Sequence, residues 1–167
     1  VPTLYLLANW YDLVPIPGID VPKLARPNPF LYRDLLRGFD QEDKAAYHKQ
    51  VIDSFKLAMK KGVKIAVGSD SVYEPSCEYG KESLMEIAEF VKHGMPLKKA
   101  LQSATEIGAQ ACGVEEYLGT LEVGKVADMI ILEKDPTESI GVITDHTNFK
   151  YIISDGRLVV KKGRLTW

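Results

Sequence analysis

An α/β fold is what this 167-residue sequence predicts, and three observations predict it. A helical pattern over residues 41–61 runs through Gly62 directly into an apolar strand at 63–68. Two further helical patterns follow, over 81–93 and 96–112. From residue 118 the texture changes to short β-branched runs with turn signals, a small β element appended to the α/β body.

Taken in order, residues 1–7 (Val1-Pro2-Thr3-Leu4-Tyr5-Leu6-Leu7) read as a buried strand. Residues 8–39 form a long connection with five prolines (Pro15, Pro17, Pro22, Pro27 and Pro29). A connection of that length in a compact domain usually carries function or shields something; part of it, 30–37, reads as a short helix. Asp40 is placed as an N-cap, with Asp43 as the acid partner of a capping box. Tyr47, Val51, Phe55, Ala58 and Met59 then recur at helical spacing, and Gly62 supplies a left-handed end. Helix followed by strand is the second half of a βαβ unit joined to strand 1–7.

After Asp70 comes a loop with Pro75, Cys77 and Tyr79-Gly80. Helix 81–93 carries Leu84, Ile87, Ala88 and Val91 on one face and ends at Gly94. Pro96 suits a first helical turn. Helix 96–112 turns Leu97, Ala100, Leu101, Ala104, Ile107 and Ala111 inward and stops at Gly113, its small residues allowing close packing. Val126 to Glu133 reads as a strand broken by Asp135-Pro136. Strands 149–154 and 157–161 flank Asp155-Gly156, a hairpin signal.

The chain is 46% hydrophobic and 26% charged, the composition of a globular rather than a disordered protein. A net charge of −2 leaves no basic surplus for nucleic acid or a membrane surface. No apolar run approaches the roughly 20 residues of a membrane helix, and no signal peptide is visible. Cys77 and Cys112 lack metal-type spacing and read as free, buried or partly buried thiols of a cytoplasmic protein.

Chemistry points to Val63-Lys64-Ile65-Ala66-Val67-Gly68-Ser69-Asp70-Ser71. An apolar strand opens onto a small-residue turn that presents one carboxylate. Loops at the carboxyl ends of parallel strands converge on one cleft. Asp70 there is a metal ligand, a general base or a turn cap. Ser69 and Ser71 read as turn residues. His48 and His93 read as helix-surface or helix-end residues and His146 as a loop residue. Cys77 and Tyr79 follow the Asp70 loop, where a cleft mouth would be, and Trp10 and Tyr11 follow the first strand, where they would contact a substrate.

Three tracts carry a resemblance: Gly-Val-Lys-Ile-Ala-Val-Gly-Ser-Asp at 62–70, Ala-Leu-Gln-Ser-Ala-Thr at 100–105, and Leu-Gly-Thr-Leu-Glu-Val-Gly-Lys-Val-Ala-Asp-Met-Ile-Ile-Leu at 118–132. In this order, with Asp135-Pro136 and the Asp155-Gly156 hairpin, they resemble the carboxyl-terminal part of the amidohydrolase superfamily, in its imidazolonepropionase-like and prolidase-like (Xaa-Pro dipeptidase) branch. The resemblance spans residues 62–165, with weaker likeness at 1–7.

The resemblance implies part of a metal-dependent (β/α)8 barrel, its last two strands and their helices over 1–117, with part of a small β-sandwich over 118–167. It makes Asp70 both metal ligand and catalytic residue: a carboxylate that binds a divalent metal, zinc first, and carries a proton from water to the leaving nitrogen. The implied reaction is hydrolysis of a C–N bond in a small-molecule amide, cyclic amide or Xaa-Pro dipeptide; substrate-binding residues are not assigned. Lys125 and Asp128 belong to the family-like tract and are expected to fix a turn at the sandwich junction. The family pattern also needs a His-x-His pair, a lysine and two more histidines, and the three histidines here form no such set. Tyr79-Gly80 stands where the branch often has His-Gly. The expectation is therefore a fragment, inactive alone, that opens on Val1 inside a core element. It would self-associate as a homo-oligomer or pair with the missing barrel portion. The alternative is a non-catalytic remnant serving as a folding or interaction module.

Overall fold

A computed structural model gives the fold and describes residue 4, residues 41–69 and residues 80–166. Helix α1 covers Gln41–Lys60, α2 Lys81–Lys92, α3 Leu97–Ala104 and α4 Glu106–Cys112. Three glycines foreseen as helix ends do that work at positive φ: Gly62, Gly94 and Gly113. Each closes its helix with a pair of backbone bonds. After α1, Gly62 N–H donates to the Met59 carbonyl and Val63 N–H to the Ala58 carbonyl, both at 3.0 Å. After α2, Gly94 donates to Val91 and Met95 to Phe90; after α4, Gly113 donates to Gln110 and Val114 to Ala109. This closure satisfies carbonyls that a helix end leaves bare, and it needs a left-handed residue that glycine adopts without a Cβ clash.

Two expected elements change form. Residues 63–69 follow α1 and pair as a strand with no described residue. A strand exists through its lateral partner, and here Val67 N–H donates to the Ser103 carbonyl at the end of α3 instead, at 3.0 Å. The foreseen partner, strand 1–7, lies outside the described residues except for Leu4, which is helical and fully buried. The single helix expected over 96–112 is two, broken at Thr105 (φ −120°, ψ −92°). The break resets the helical phase. Ala100 stays buried and Leu101 packs against the core, but Ala104 and Ala111 are exposed while Ser103 and Ala109 are buried. The Asp40–Asp43 capping box, the 8–39 connection and its short helix lie outside the described residues.

The core joins Phe55 of α1, Ile87 and Phe90 of α2, Met95, Ala100 and Leu4. Phe55 and Phe90 meet with ring centroids 5.0 Å apart, tilted by 37°, a favourable aromatic arrangement. The inward face expected for α2 is present at Ile87, Leu84 and Val91. It is wider than its apolar residues suggest, because Glu82, Glu86 and Glu89 are buried as well. Glu86 accepts the Leu4 backbone N–H at 2.8 Å, one of the partners that make its burial tolerable.

The β element is a four-stranded antiparallel meander: β1 Met129–Leu132, β2 Phe149–Ser154, β3 Arg157–Lys161 and β4 Arg164–Leu165. A short helix α5, Gly141–Thr144, and a 3-10 turn, His146–Asn148, link β1 to β2. The β2–β3 hairpin turns on Asp155 (φ 49°) and Gly156 (φ 72°), both left-handed, the conformation whose twist matches the flanking strands. Lys162 and Gly163 repeat it and add β4, which sequence reasoning missed. β1 is shorter than the expected 126–133, because Val126 N–H is taken by the Tyr117 carbonyl and the chain is still turning. Among the described residues the segment expected as a share of a sandwich forms this one sheet. Leu132 on β1 and Ile140 and Ile143 around α5 tie the sheet to the helical core. Among the described residues no helix is long and apolar enough to cross a membrane.

Candidate functional site

The segment that leads to Asp70 is fastened at both ends of its described length. At its start, α1 closes onto Val63. Further along, Lys64 Nζ donates to Gln110 Oε1 on α4 at 2.7 Å, and Val67 N–H donates to the Ser103 carbonyl. Between them Ala66 is buried and Ile65 and Val67 pack against the core. Ser103 is itself buried, with its Oγ donating to the Lys99 carbonyl at 3.0 Å. The segment thus rests on the junction of α3 and α4. Asp70, Ser71, Cys77 and Tyr79 lie outside the described residues, as do Trp10 and Tyr11. Ser69, the last described residue before Asp70, is half-buried.

The three histidines lie on different elements. His48 is half-buried within α1, and His146 is exposed on the 3-10 turn. His93 is the C-cap of α2, with Nε2 3.3 Å from Glu89 Oε2. Burial lowers the His93 pKa, and the Glu89 carboxylate opposes that shift. Glu89 also accepts Lys92 Nζ at 3.0 and 3.1 Å. Among the described residues no three His, Cys, Asp or Glu side chains converge into a set able to hold a metal ion.

Lys125 and Asp128 build turns. Lys125 Nζ, largely buried, donates to the Glu115 carbonyl at 2.8 Å and to Thr120 Oγ1 at 2.6 Å. It gathers the 115–122 loop onto its own turn. Asp128 Oδ1 accepts the Asp155 N–H, and Gly156 N–H donates to the Ala127 carbonyl at 3.0 Å, so this tract clasps the β2–β3 turn. Gly119 packs so tightly against α4 that a Cβ there would stand 2.6 Å from Ala109 Cβ.

Between α3–α4 and the first two strands lies an open, mainly apolar cavity of about 830 Å³, bordered by Thr105, Ala109, Leu118, Ile130 and Ile152, with Cys112 and Asp128 at its polar margin. Sequence reasoning did not find it, since it arises from the packing of segments 20 to 50 residues apart. Cys112 is an exposed free thiol rather than the buried or partly buried one expected, because α4 turns it away from the core beside the Gly113 end. The buried glutamates of α2 were also missed. Their i, i+4, i+7 spacing was the available signal, and Leu4 meets the middle one, Glu86.

The amidohydrolase family model matches residues 40–159. The chain belongs to the amidohydrolase family. Among curated relatives of this amidohydrolase chain, it is 34% identical over 113 residues to an imidazolonepropionase of Symbiobacterium thermophilum, covering 62% of this chain and 24% of that protein. It is 29% identical over 137 residues to an N-acetylglucosamine-6-phosphate deacetylase of Caenorhabditis elegans, covering 69% and 32%. A crystal structure of a Xaa-Pro dipeptidase with bound methionine in its active site superposes with a TM-score of 0.65 at 31% identity, over 95% of this chain and 33% of that one. A putative prolidase from Bifidobacterium longum, at 23% identity and TM-score 0.64 over 80% and 33%, shares the fold. The amidohydrolase chain therefore spans about a quarter to a third of the length of these relatives.

Proposed function

We propose that these residues are the carboxyl-terminal part of a hydrolase that cleaves carbon–nitrogen bonds, with Asp70 as its catalytic carboxylate. The observation that carries this reading is the segment 62–69 leading to Asp70, fastened to the α3–α4 junction in a chain that belongs to the amidohydrolase family. In this reading residues 1–117 belong to a barrel and 118–167 to a β domain that closes beside it. The substrate is a small amide, a cyclic amide or an Xaa-Pro dipeptide, in line with the imidazolonepropionase and dipeptidase relatives.

The reaction adds water across the bond and releases a carboxylic acid and an amine. A carboxylate at Asp70 takes the proton from the attacking water and gives it to the leaving nitrogen. The described residues do not make a metal centre. Asp70 would supply one ligand to a divalent ion, with zinc the first candidate, and the rest of the set would come from outside these 167 residues.

The test is Asp70→Asn in the full-length protein, assayed on an imidazolone and on alanyl- and methionyl-proline, with metal content measured in parallel. Turnover by the wild type and its loss in the variant support the reading. Unchanged turnover in the variant removes Asp70 from the chemistry.

A second reading, a non-catalytic module that pairs with another chain or with its own copy, is favoured by exposed apolar side chains. Leu57, Val63, Leu121, Ile130 and Leu165 are each at least half exposed. Size-exclusion chromatography of the 167-residue chain separates the two: a clean monomer without activity argues against the module.

A further inference from the structure

We infer that the broken helix at Ser103–Thr105 is a positioning device for the reaction, acting through the backbone of Val67. This rests on the reading of Asp70 given above. In an unbroken helix the Ser103 carbonyl would accept the N–H of residue 107, four positions on. α3 ends at Ala104 and α4 starts at Glu106, with Thr105 between them in a non-helical conformation. The Ser103 carbonyl accepts the Val67 N–H at 3.0 Å across the interface.

The surroundings make this bond a fixed point. Ser103 is buried, and its hydroxyl is turned back onto the Lys99 carbonyl and lies 3.5 Å from the Met95 sulfur. Thr105 Oγ1 donates to the Leu101 carbonyl at 2.9 Å and so closes the last turn of α3 locally. Lys64 and Gln110 add a second strap from the same segment to α4. Asp70 follows Val67 by three residues, so the path of the chain into it starts from this anchor. The Ala-Leu-Gln-Ser-Ala-Thr tract at 100–105 acquires a role by this route: its last residues release one carbonyl from the helix for the neighbouring segment. Ser103 and Val67 are positioning residues and touch no reacting atom.

The experiment uses the full-length protein loaded with its metal and assayed on methionyl-proline. Val67→Pro removes the donor; Ile65→Ala removes comparable packing from the same segment and leaves the bond; Asp70→Asn tests the underlying reading. The expected result is a fall in kcat of between about tenfold and a hundredfold for Val67→Pro with KM unchanged, as for a displaced reacting group. Ile65→Ala should lose thermal stability and keep its kcat. A wild-type kcat in Val67→Pro, or an equal fall in Ile65→Ala, overturns the positioning role while a dead Asp70→Asn leaves the reading standing. An active Asp70→Asn, or a wild-type protein without turnover, overturns the reading and the role with it. Should Val67→Pro fail to fold, Lys64→Met and amide exchange decide. A lowered kcat in Lys64→Met and a Val67 amide that exchanges as slowly as those of α2 support the inference, and failure of either overturns it.

Discussion

The carboxylate of Asp128 accepts the backbone N–H of Asp155 at 2.7 Å, joining residues 27 positions apart. Asp128 ends the Gly-Lys-Val-Ala-Asp tract, expected from the sequence to fix a turn. Its partner is the first residue of a left-handed two-residue turn. The tract is thus a clasp for the β2–β3 hairpin.

Replacing Asp128 by Ala should therefore destabilise the sheet by about 1 kcal/mol, the scale of a lost hydrogen bond, without changing kcat in the full-length protein. Asp128→Asn retains an acceptor and should recover part of the loss. Urea unfolding followed by circular dichroism measures both.

Gly119 faces Ala109 with no room for a methyl group and sits at φ 93°. Gly119→Ala should cost about 1–3 kcal/mol through overpacking, with the left-handed backbone adding to it. Ala109→Gly in the same chain should return the overpacking part and leave the backbone part. A double-mutant cycle on thermal midpoints reads the coupling, and strict additivity of the two changes would contradict the contact.

Phe90 is fully buried against Phe55. Phe90→Ala should lower stability by about 3–5 kcal/mol, the range for large aromatic truncations in a core, and Phe90→Leu by clearly less. A comparable effect from Leu57→Ala, whose side chain is more than half exposed, would contradict this placement of the core.

His93 carries a pH prediction. Burial lowers its pKa below the ordinary 6.5, with Glu89 opposing the shift, so the folded chain binds the proton less readily than the unfolded one. Stability from the neutral imidazole is fully present above the unfolded value and is lost as pH falls from about 6.5 through the folded pKa. The urea midpoint should decline over that window in wild type and decline less in His93→Gln. Asp145, held low by two bonds from Thr147, acts in a different window: its contribution is lost only as pH falls below the ordinary carboxylate value of 3.8. The two groups therefore separate on the pH axis.

Local signals survived translation into structure; non-local ones did not. Gly62, Gly94 and Gly113 ended their helices, and Asp155-Gly156 turned its hairpin, because each outcome depends on a few adjacent backbone angles. The turn-fixing role expected of Lys125 and Asp128 is the role they have. Strand 63–68 depended on a partner, and the inward face of 96–112 depended on an unbroken phase that Thr105 interrupts. The burial of the α2 glutamates went unread, since the contact of Glu86 with Leu4 spans 82 residues. The candidate site was legible as a tract, and its fastening to Ser103 was not, since a backbone carbonyl leaves no mark in a sequence.

The sheet touches the helical core through Leu132 and the residues around α5. Among the described residues this bridge is narrow, and that bears on how the molecule comes apart. The meander's backbone ladder runs from strand to neighbouring strand, whereas the helices share an apolar nucleus of their own side chains, so the two should open as distinct cooperative units. Protection against amide exchange would then fall first across β1 to β4 as denaturant rises, with α2 the last to yield, and Ile143→Ala would widen the gap between the two transitions.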